Sequence, residues 1–315
     1  MANKKIAVNS RTRRLVIQEN VAAYLFMLPF LLFFVGFVLY PMFMCVYTSF
    51  FDATMGREDI FVGFQNYYDM MFKPGVATDG SITHGDPVFW IALKNTMIIV
   101  LVSVPVVTAF SLWVATIISR MPVAATSAFR CIFYLPVVTG SVAVTMVWKW
   151  MFNNYYGIFN YIGKETGLLE KNINWLGDPK FALGCIILIL LTTSVGQPIV
   201  LYVSALDNVD KSLVEAAEVD GASSKQAFWR IKWPQMMPTT LYILVITTIN
   251  SFQCFALIQL LTSGGPKNST MTIMYYIYYS AFKLYKYGYG NAMGVILAII
   301  ITILSAIQFK AGQEK

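Results

Sequence analysis

The chain has 315 residues, 57% hydrophobic and only 12% charged, with a mean hydropathy of +0.61. Soluble domains carry about 25% charged residues, so this composition excludes a large soluble core and points to an integral membrane protein. The net charge of +7 is scattered over segments that flank apolar runs, which fits orientation in a bilayer and contact with anionic membrane lipid, and gives no basis for nucleic-acid binding.

A helix needs about 20 apolar residues to cross the hydrocarbon. Six such stretches occur, at about 22–49, 91–119, 128–151, 181–206, 239–262 and 288–309. None alternates with the period of a membrane barrel, so the expectation is an all-α protein with six transmembrane helices. The tail 1–21 carries Lys4, Lys5, Arg11, Arg13 and Arg14 ahead of the uncharged stretch 22–49. That pattern reads as a retained first span with a cytoplasmic tail, and six spans return the tail 310–315 to the same side. Under this layout the inside segments hold 13 Lys/Arg against 7 Asp/Glu, and the outside segments 10 against 9.

The first external segment, 50–90, ends in a Gly-, Asp- and Thr-rich stretch that predicts a turn-rich lobe. It holds the lone histidine, His84, read as a solvated loop residue. The second, 152–180, predicts a short helix over Gly157–Leu169, with Trp148, Trp150, Tyr155 and Tyr156 anchoring the third span at the membrane surface and Lys149 snorkelling among them. The third holds LTSGGPKNST (261–270), a forced tight turn, then tyrosines 275, 276, 278 and 279, which predict an interfacial helix and an aromatic belt, with substrate contact as the other reading. Cys45, Cys131, Cys185 and Cys254 fall inside predicted spans without zinc-ligand spacing, and read as small apolar packing residues. Metal and catalytic residues are expected to be absent.

The spans hold almost no Asp, Glu, Lys or Arg, which ion-coupled transporters use as carriers, and no pair of broken helices is evident at matched positions in two halves. No Walker A loop occurs, so the chain is not expected to hydrolyse ATP. Between the fourth and fifth spans lies a polar segment, 210–234. Ser212 precedes Glu215 by three, and Ser223 precedes Gln226 by three; each pair predicts a capping box that starts a helix. Gly221 is placed to end the first helix in a left-handed conformation, and the second is expected to run to Pro234. The result is a helical knob suited to docking, with Glu215 meeting a partner and Asp220 bracing the glycine corner.

Glu215, Ala216, Ala217, Asp220, Gly221, Ala222, Phe228, Ile231 and Pro234 hold the pattern of the EAA loop of ABC importer permeases, with Trp233 where leucine is usual. Stretches 22–42, 61–70, 95–105, 129–153, 174–179 and 261–270 are similar to sugar permeases of the carbohydrate-uptake group, MalF/UgpA-like, in the same order. The resemblance implies the type I importer (MetI-like) fold, six-span form, over 22–309, in a prokaryotic cell membrane. It also implies a heterodimer with a second related permease, two copies of a cytoplasmic ATPase that hold ATP and Mg, and an external sugar-binding protein; no cofactor is expected on this chain itself. The EAA residues 215–217 and 220–222 would couple to the ATPase.

Spans three, four and five carry clustered polar groups, which suit sugar hydroxyls but equally suit interhelical hydrogen bonds. Gly196 and Pro198 predict a break in span four with carbonyls freed to line a cavity. The resemblance to the maltose-type permease puts Val137, Ser141, Ser194, Gln197, Asn250, Ser251 and Cys254 on sugar-contact positions, with Gln253 beside them.

Overall fold

The computed structural model describes residues 10–76 and 82–313. Lys4 and Lys5 of the basic tail, and 77–81 of the external lobe, lie outside the described residues. Helix α1 (Ser10–Phe34), a π turn (Val35–Leu39) and α2 (Tyr40–Thr48) join into one apolar span, Asn20–Thr48. None of its most apolar window is buried in the molecule, so its side chains are left for lipid or another chain.

The external lobe follows as two short hairpins, β1 (Phe51–Asp52) with β2 (Ile60–Phe61) and β3 (Gly75–Val76) with β4 (Ile82–Thr83), around α3 (Gln65–Met71). His84 is exposed on it. Asp86 caps α4 (Pro87–Ile118), accepting from the N–H groups of Val88 and Phe89; proline at the first helical position loses no bond there.

The expected third span is two helices, α5 (Val123–Val138) and α6 (Ser141–Met151), bent by 93° at Thr139–Gly140. The expected second external helix is shorter than drawn, α7 (Ile158–Glu165). Span four divides into α8 (Ala182–Ser194) and α9 (Gly196–Asp207). The polar segment forms α10 (Lys211–Val219) and α11 (Ser224–Ala227), which passes through a π turn (Phe228–Lys232) into α12 (Trp233–Phe252) and, after a break, α13 (Ala256–Leu261). Last come α14 (Ile273–Tyr278), a π turn (Tyr279–Lys283) and α15 (Tyr287–Gln313).

Two apolar clusters hold the spans together. Phe89, Ile186, Ile189, Phe252, Ile258 and Met293 pack the half nearest the external lobe; Val107, Ile199, Tyr202, Val203, Met236 and Ile243 pack the half nearest α10. Lipid tails are as apolar as these side chains, so cohesion rests on close packing and interhelical hydrogen bonds. Gly196 is one such close approach: a Cβ there would lie 2.3 Å from the Phe133 carbonyl oxygen of α5.

The tyrosine stripe differs from its expectation. Tyr275 and Tyr276 are buried, not part of an aromatic belt. The 261–270 turn folds back on α4, where Asn95 Nδ2 donates to the carbonyls of Asn268 (3.1 Å) and Met271 (2.9 Å), and the Ile273 N–H donates to Thr96 Oγ1 (3.0 Å). That grip carries α14 into the core. The four cysteines are free thiols; Cys185 and Cys254 are buried, Cys45 is half-buried and Cys131 is exposed on α5.

Candidate functional site

Three spans break at neighbouring points and leave two adjoining cavities. Pro198 has no N–H, so the Ser194 carbonyl one turn back loses its helical donor, and α8 gives way to α9 at that point. The Val195 carbonyl beside it is taken by the Ile199 N–H (3.0 Å) and by Ser111 Oγ of α4 (3.3 Å). The α5–α6 bend and the α12–α13 gap at Gln253–Phe255 complete the set. Broken helices are therefore present in three spans, where the sequence predicted a break only in span four.

The first cavity, about 170 Å³, takes Val137, Ser194, Gln197 and Asn250 from the expected pathway residues. The second, about 360 Å³, takes Val137, Ser141, Gln253 and Cys254. Val137 and Thr193 line both, so seven of the eight expected residues come together. Ser251 lines neither. It is 3% exposed and faces the core, because one residue along a helix turns the side chain about 100° from Asn250. Tyr242, Ile246 and Thr247 were missed although they line the first cavity. Their signal was present: 242, 246 and 250 follow the i, i+4 spacing of one helix face. Tyr134 and Thr145, two other polar groups of span three, line neither cavity, and Thr145 donates to the Ser141 carbonyl at 2.6 Å.

Among the described residues, no charged side chain lines either cavity. Uncharged hydroxyls and amides beside apolar walls can bind hydroxyl groups by mutual donation and acceptance. Arg130 of α5 meets Asp207 at the end of α9 at 2.6 Å, tying the helix ends nearest α10; both are partly exposed, so the pair contributes little.

The second feature is the hairpin. Helix α10 starts two residues earlier than a Ser212–Glu215 box would place it: Asp210 is the cap, accepting from the Ser212 N–H at 2.9 Å and Oγ at 2.8 Å. These bonds hold the Asp210 carboxyl below the usual carboxylate range, and the slight desolvation opposes them. With its hydroxyl engaged, Ser212 is not available as a cap, and Glu215 stands exposed with no side-chain partner among the described residues.

Gly221 has φ +82°. Its N–H donates to the Glu218 carbonyl (3.1 Å), and that of Ala222 reaches the Ala217 carbonyl (2.9 Å), the pair of bonds of a Schellman ending. Asp220 braces this corner through its backbone N–H to the Ala216 carbonyl (3.0 Å), not through its carboxylate. Ser223 and Gln226 form a complete capping box for the next helix.

That helix does not stop at Pro234, as expected. The π turn makes an i to i+5 bond from the Trp233 N–H to the Phe228 carbonyl, and Pro234 sits in the following first turn of α12. Ser224 to Phe252 is thus one helical rod with its foot in the hairpin and Asn250 in the first cavity. The hairpin shows solvent Glu215, Ala216, Asp220 and Gly221, half-exposed Ala217 and Ala222, and the apolar Val219 at 88% exposure.

Comparison with known proteins bears on the fold and the family. The chain is 31% identical over 302 residues to the probable ABC transporter permease protein YesP of Bacillus subtilis, covering 95% of this chain and 93% of that one. It is 33% identical over 233 residues to the lactose transport system permease protein LacF of Rhizobium radiobacter (73% and 78% covered), and 32% over 281 residues to the multiple sugar-binding transport system permease protein MsmF of Streptococcus mutans (89% and 91%). Its fold matches a chain of a bacterial ABC transporter involved in import of the acidic polysaccharide alginate, with a TM-score of 0.77, 22% identity, and 95% and 97% of the two chains covered. Residues 19–311 match the model of the binding-protein-dependent transport system inner membrane component, and the chain belongs to that family.

Proposed function

We propose that this chain forms half of the translocation pathway of an ATP-driven carbohydrate importer. The observation that carries the reading is the continuous rod: an exposed, doubly capped hairpin joined without a helix break to a wall of the uncharged polar cavities. A second, related permease supplies the other half of the pathway. Two copies of a cytoplasmic ATPase, which hold ATP and Mg, dock on this hairpin and its counterpart, with Glu215 and the small residues Ala216, Ala217, Gly221 and Ala222 at the contact. An external binding protein delivers the sugar. The hairpin and both termini lie in the cytoplasm of a prokaryotic cell, and the His84 lobe lies outside. Relatives named for lactose, multiple-sugar and arabinooligosaccharide transport favour a carbohydrate, with an oligosaccharide as the best fit.

The continuous rod supports a lever mechanism. Closure of the ATPases on ATP moves the hairpins together. The rod then tilts as a unit, and the walls bearing Asn250 and Gln197 change their separation from the other half of the pathway. A shift of this kind needs contacts that differ between two states, and the hairpin provides them at one end of the lever. Expressed alone, the chain is expected to show neither ATP hydrolysis nor saturable carbohydrate uptake, whereas co-expression with the other subunits gives ATP-dependent uptake. ATP-dependent uptake by vesicles holding only this polypeptide would overturn the reading.

A further inference from the structure

The lobe end of the molecule holds a polar cleft of about 780 Å³ that lies apart from the two cavities and that the transport mechanism does not use. One wall is the lobe, with Asp52, Arg57 and α3; the other is the segment that joins α14 to α15. Backbone bonds fix the walls to each other. Met55 N–H donates to the Tyr285 carbonyl (3.1 Å), Tyr287 N–H donates to the Ala53 carbonyl (2.8 Å), and Thr54 pairs with Lys286. At the back, Asp86 Oδ2 accepts from the phenols of Tyr276 (2.5 Å) and Tyr289 (2.6 Å). Burial and then the neighbouring Asp86 charge raise the Tyr276 phenol well above the usual tyrosine range, which keeps it a donor. The cleft is therefore preformed.

Its lining is mixed and balanced. Asp52, Asp69 and Asp86 face Arg57, Lys73 and Lys286. Asp69 is paired with Lys73 at 3.3 Å, while Arg57 and Lys286 meet no carboxylate within ion-pair distance among the described residues. Each carboxylate keeps acceptor sites beyond the bonds it already makes. The groups left free to meet a ligand are Arg57 and Lys286, both exposed along the cleft. The Ser280 hydroxyl beneath them is closed off from the cleft and lies against the Tyr276 phenol. Each basic group keeps donors that sugar hydroxyls can meet.

We propose that this cleft is a second saccharide site, for a neutral ligand of one or two sugar rings. Sugar hydroxyls donate to carboxylates and accept from Lys, Arg and amide groups, so they satisfy a lining of both kinds. An anion would face three carboxylates, and a cation three basic groups. The volume lies within the common range for small-molecule pockets, about 300–1,000 Å³. The inference rests on the carbohydrate reading above and adds an external site at which sugar waits beside the pathway.

The test uses the full complex in lipid nanodiscs without its binding protein, with D-glucose, sucrose and lactose as probes in ligand-observed NMR titrations. Arg57→Met and Lys286→Met remove exposed charges that make no ion pair among the described residues, so their thermal midpoints should stay near that of the parent. At least one probe should bind, with affinity three- to tenfold weaker in Arg57→Met and in Lys286→Met, the loss expected for one hydrogen bond. If no probe binds a complex that imports carbohydrate, or if binding falls only in Gln197→Ala, the cleft is not a saccharide site and the transport reading stands. If binding follows the cleft variants but the complex imports no carbohydrate, the cleft stands and the transport reading fails.

Discussion

The hairpin and the cavities are the two working ends of one rod, and they are built in opposite ways. The hairpin is specified locally: its cap, corner and capping box, from Asp210 to Gln226, are each closed by bonds between residues at most five positions apart. The cavities are specified at long range, by breaks in three different spans that align only after packing. A docking surface must hold its shape while it presses on a partner, and dense local bonding gives that. A pathway must change shape, and helix ends with few backbone bonds give that.

Substitutions can break this contrast, and the largest effect should come at the hairpin corner. Gly221→Pro loses the donor to Glu218 and cannot adopt positive φ. It should leave membrane insertion intact while abolishing co-purification of the ATPase and transport by the full complex. Normal transport in this variant would remove the hairpin from the mechanism. Next is the helix contact behind the cavity. Gly196→Val forces side-chain atoms against the Phe133 carbonyl, where even a Cβ would sit 2.3 Å away. The overpacking should cost about 1–3 kcal/mol, read as a lower thermal midpoint of the purified complex.

Asn250→Ala and Gln197→Ala sharpen the comparison at the other end of the rod. Each lost hydrogen bond of about 0.5–1.5 kcal/mol should weaken apparent affinity for the transported sugar three- to tenfold. Assembly, basal ATP hydrolysis and the binding protein's own affinity should be unchanged. Ser251→Ala, one position along and turned into the core, should leave transport affinity within about twofold, too small a change for a lost hydrogen bond to sugar. Equal effects at Asn250 and Ser251 would mean that both act through packing.

The smallest effects belong to the hairpin caps. Ser223→Ala should cost about 1 kcal/mol of local stability, seen as faster amide exchange at Lys225–Ala227 with no change in the cavities. The Asp210 carboxyl is lowered on folding, so its contribution is fully present above the unfolded value near 3.9 and is lost as pH falls through the lower folded value. Exchange across α10 should therefore be flat from neutral pH down to about 4 after correction for intrinsic rates, and rise only below that. In Asp210→Asn this acid step should disappear.

The same contrast explains what the sequence made legible. Gly221 and the Ser223–Gln226 pair are readable because both partners of each bond lie in one short window. The Ser212–Glu215 box misled because Asp210 is an equally good cap and takes the Ser212 hydroxyl as a donor. Pro198 announced its break, whereas 128–151 was read as one span and its bend at Thr139–Gly140 was not foreseen. No local signal showed that these breaks would meet the end of α12, nor that Asn95 and Thr96 would draw the tyrosines of α14 inside. Ser251 was grouped with Asn250 through the family resemblance, although helical spacing separates them and groups Asn250 with Tyr242 and Ile246 instead.

The central claim is that hairpin and cavity wall move as one body. Spin labels at Lys225→Cys and Thr239→Cys, on either side of the π turn and about 21 Å apart along the axis, report on this in the assembled complex by electron-electron distance measurement. Across nucleotide-free and ATP-trapped states the distance should stay within about 2 Å, less than two residues of helical rise, while a label at Lys225 moves relative to one on the opposite permease. A change along the rod of about 5 Å, a full helical turn, would show that the π turn is a hinge and that motion of the hairpin does not reach the cavity through this helix.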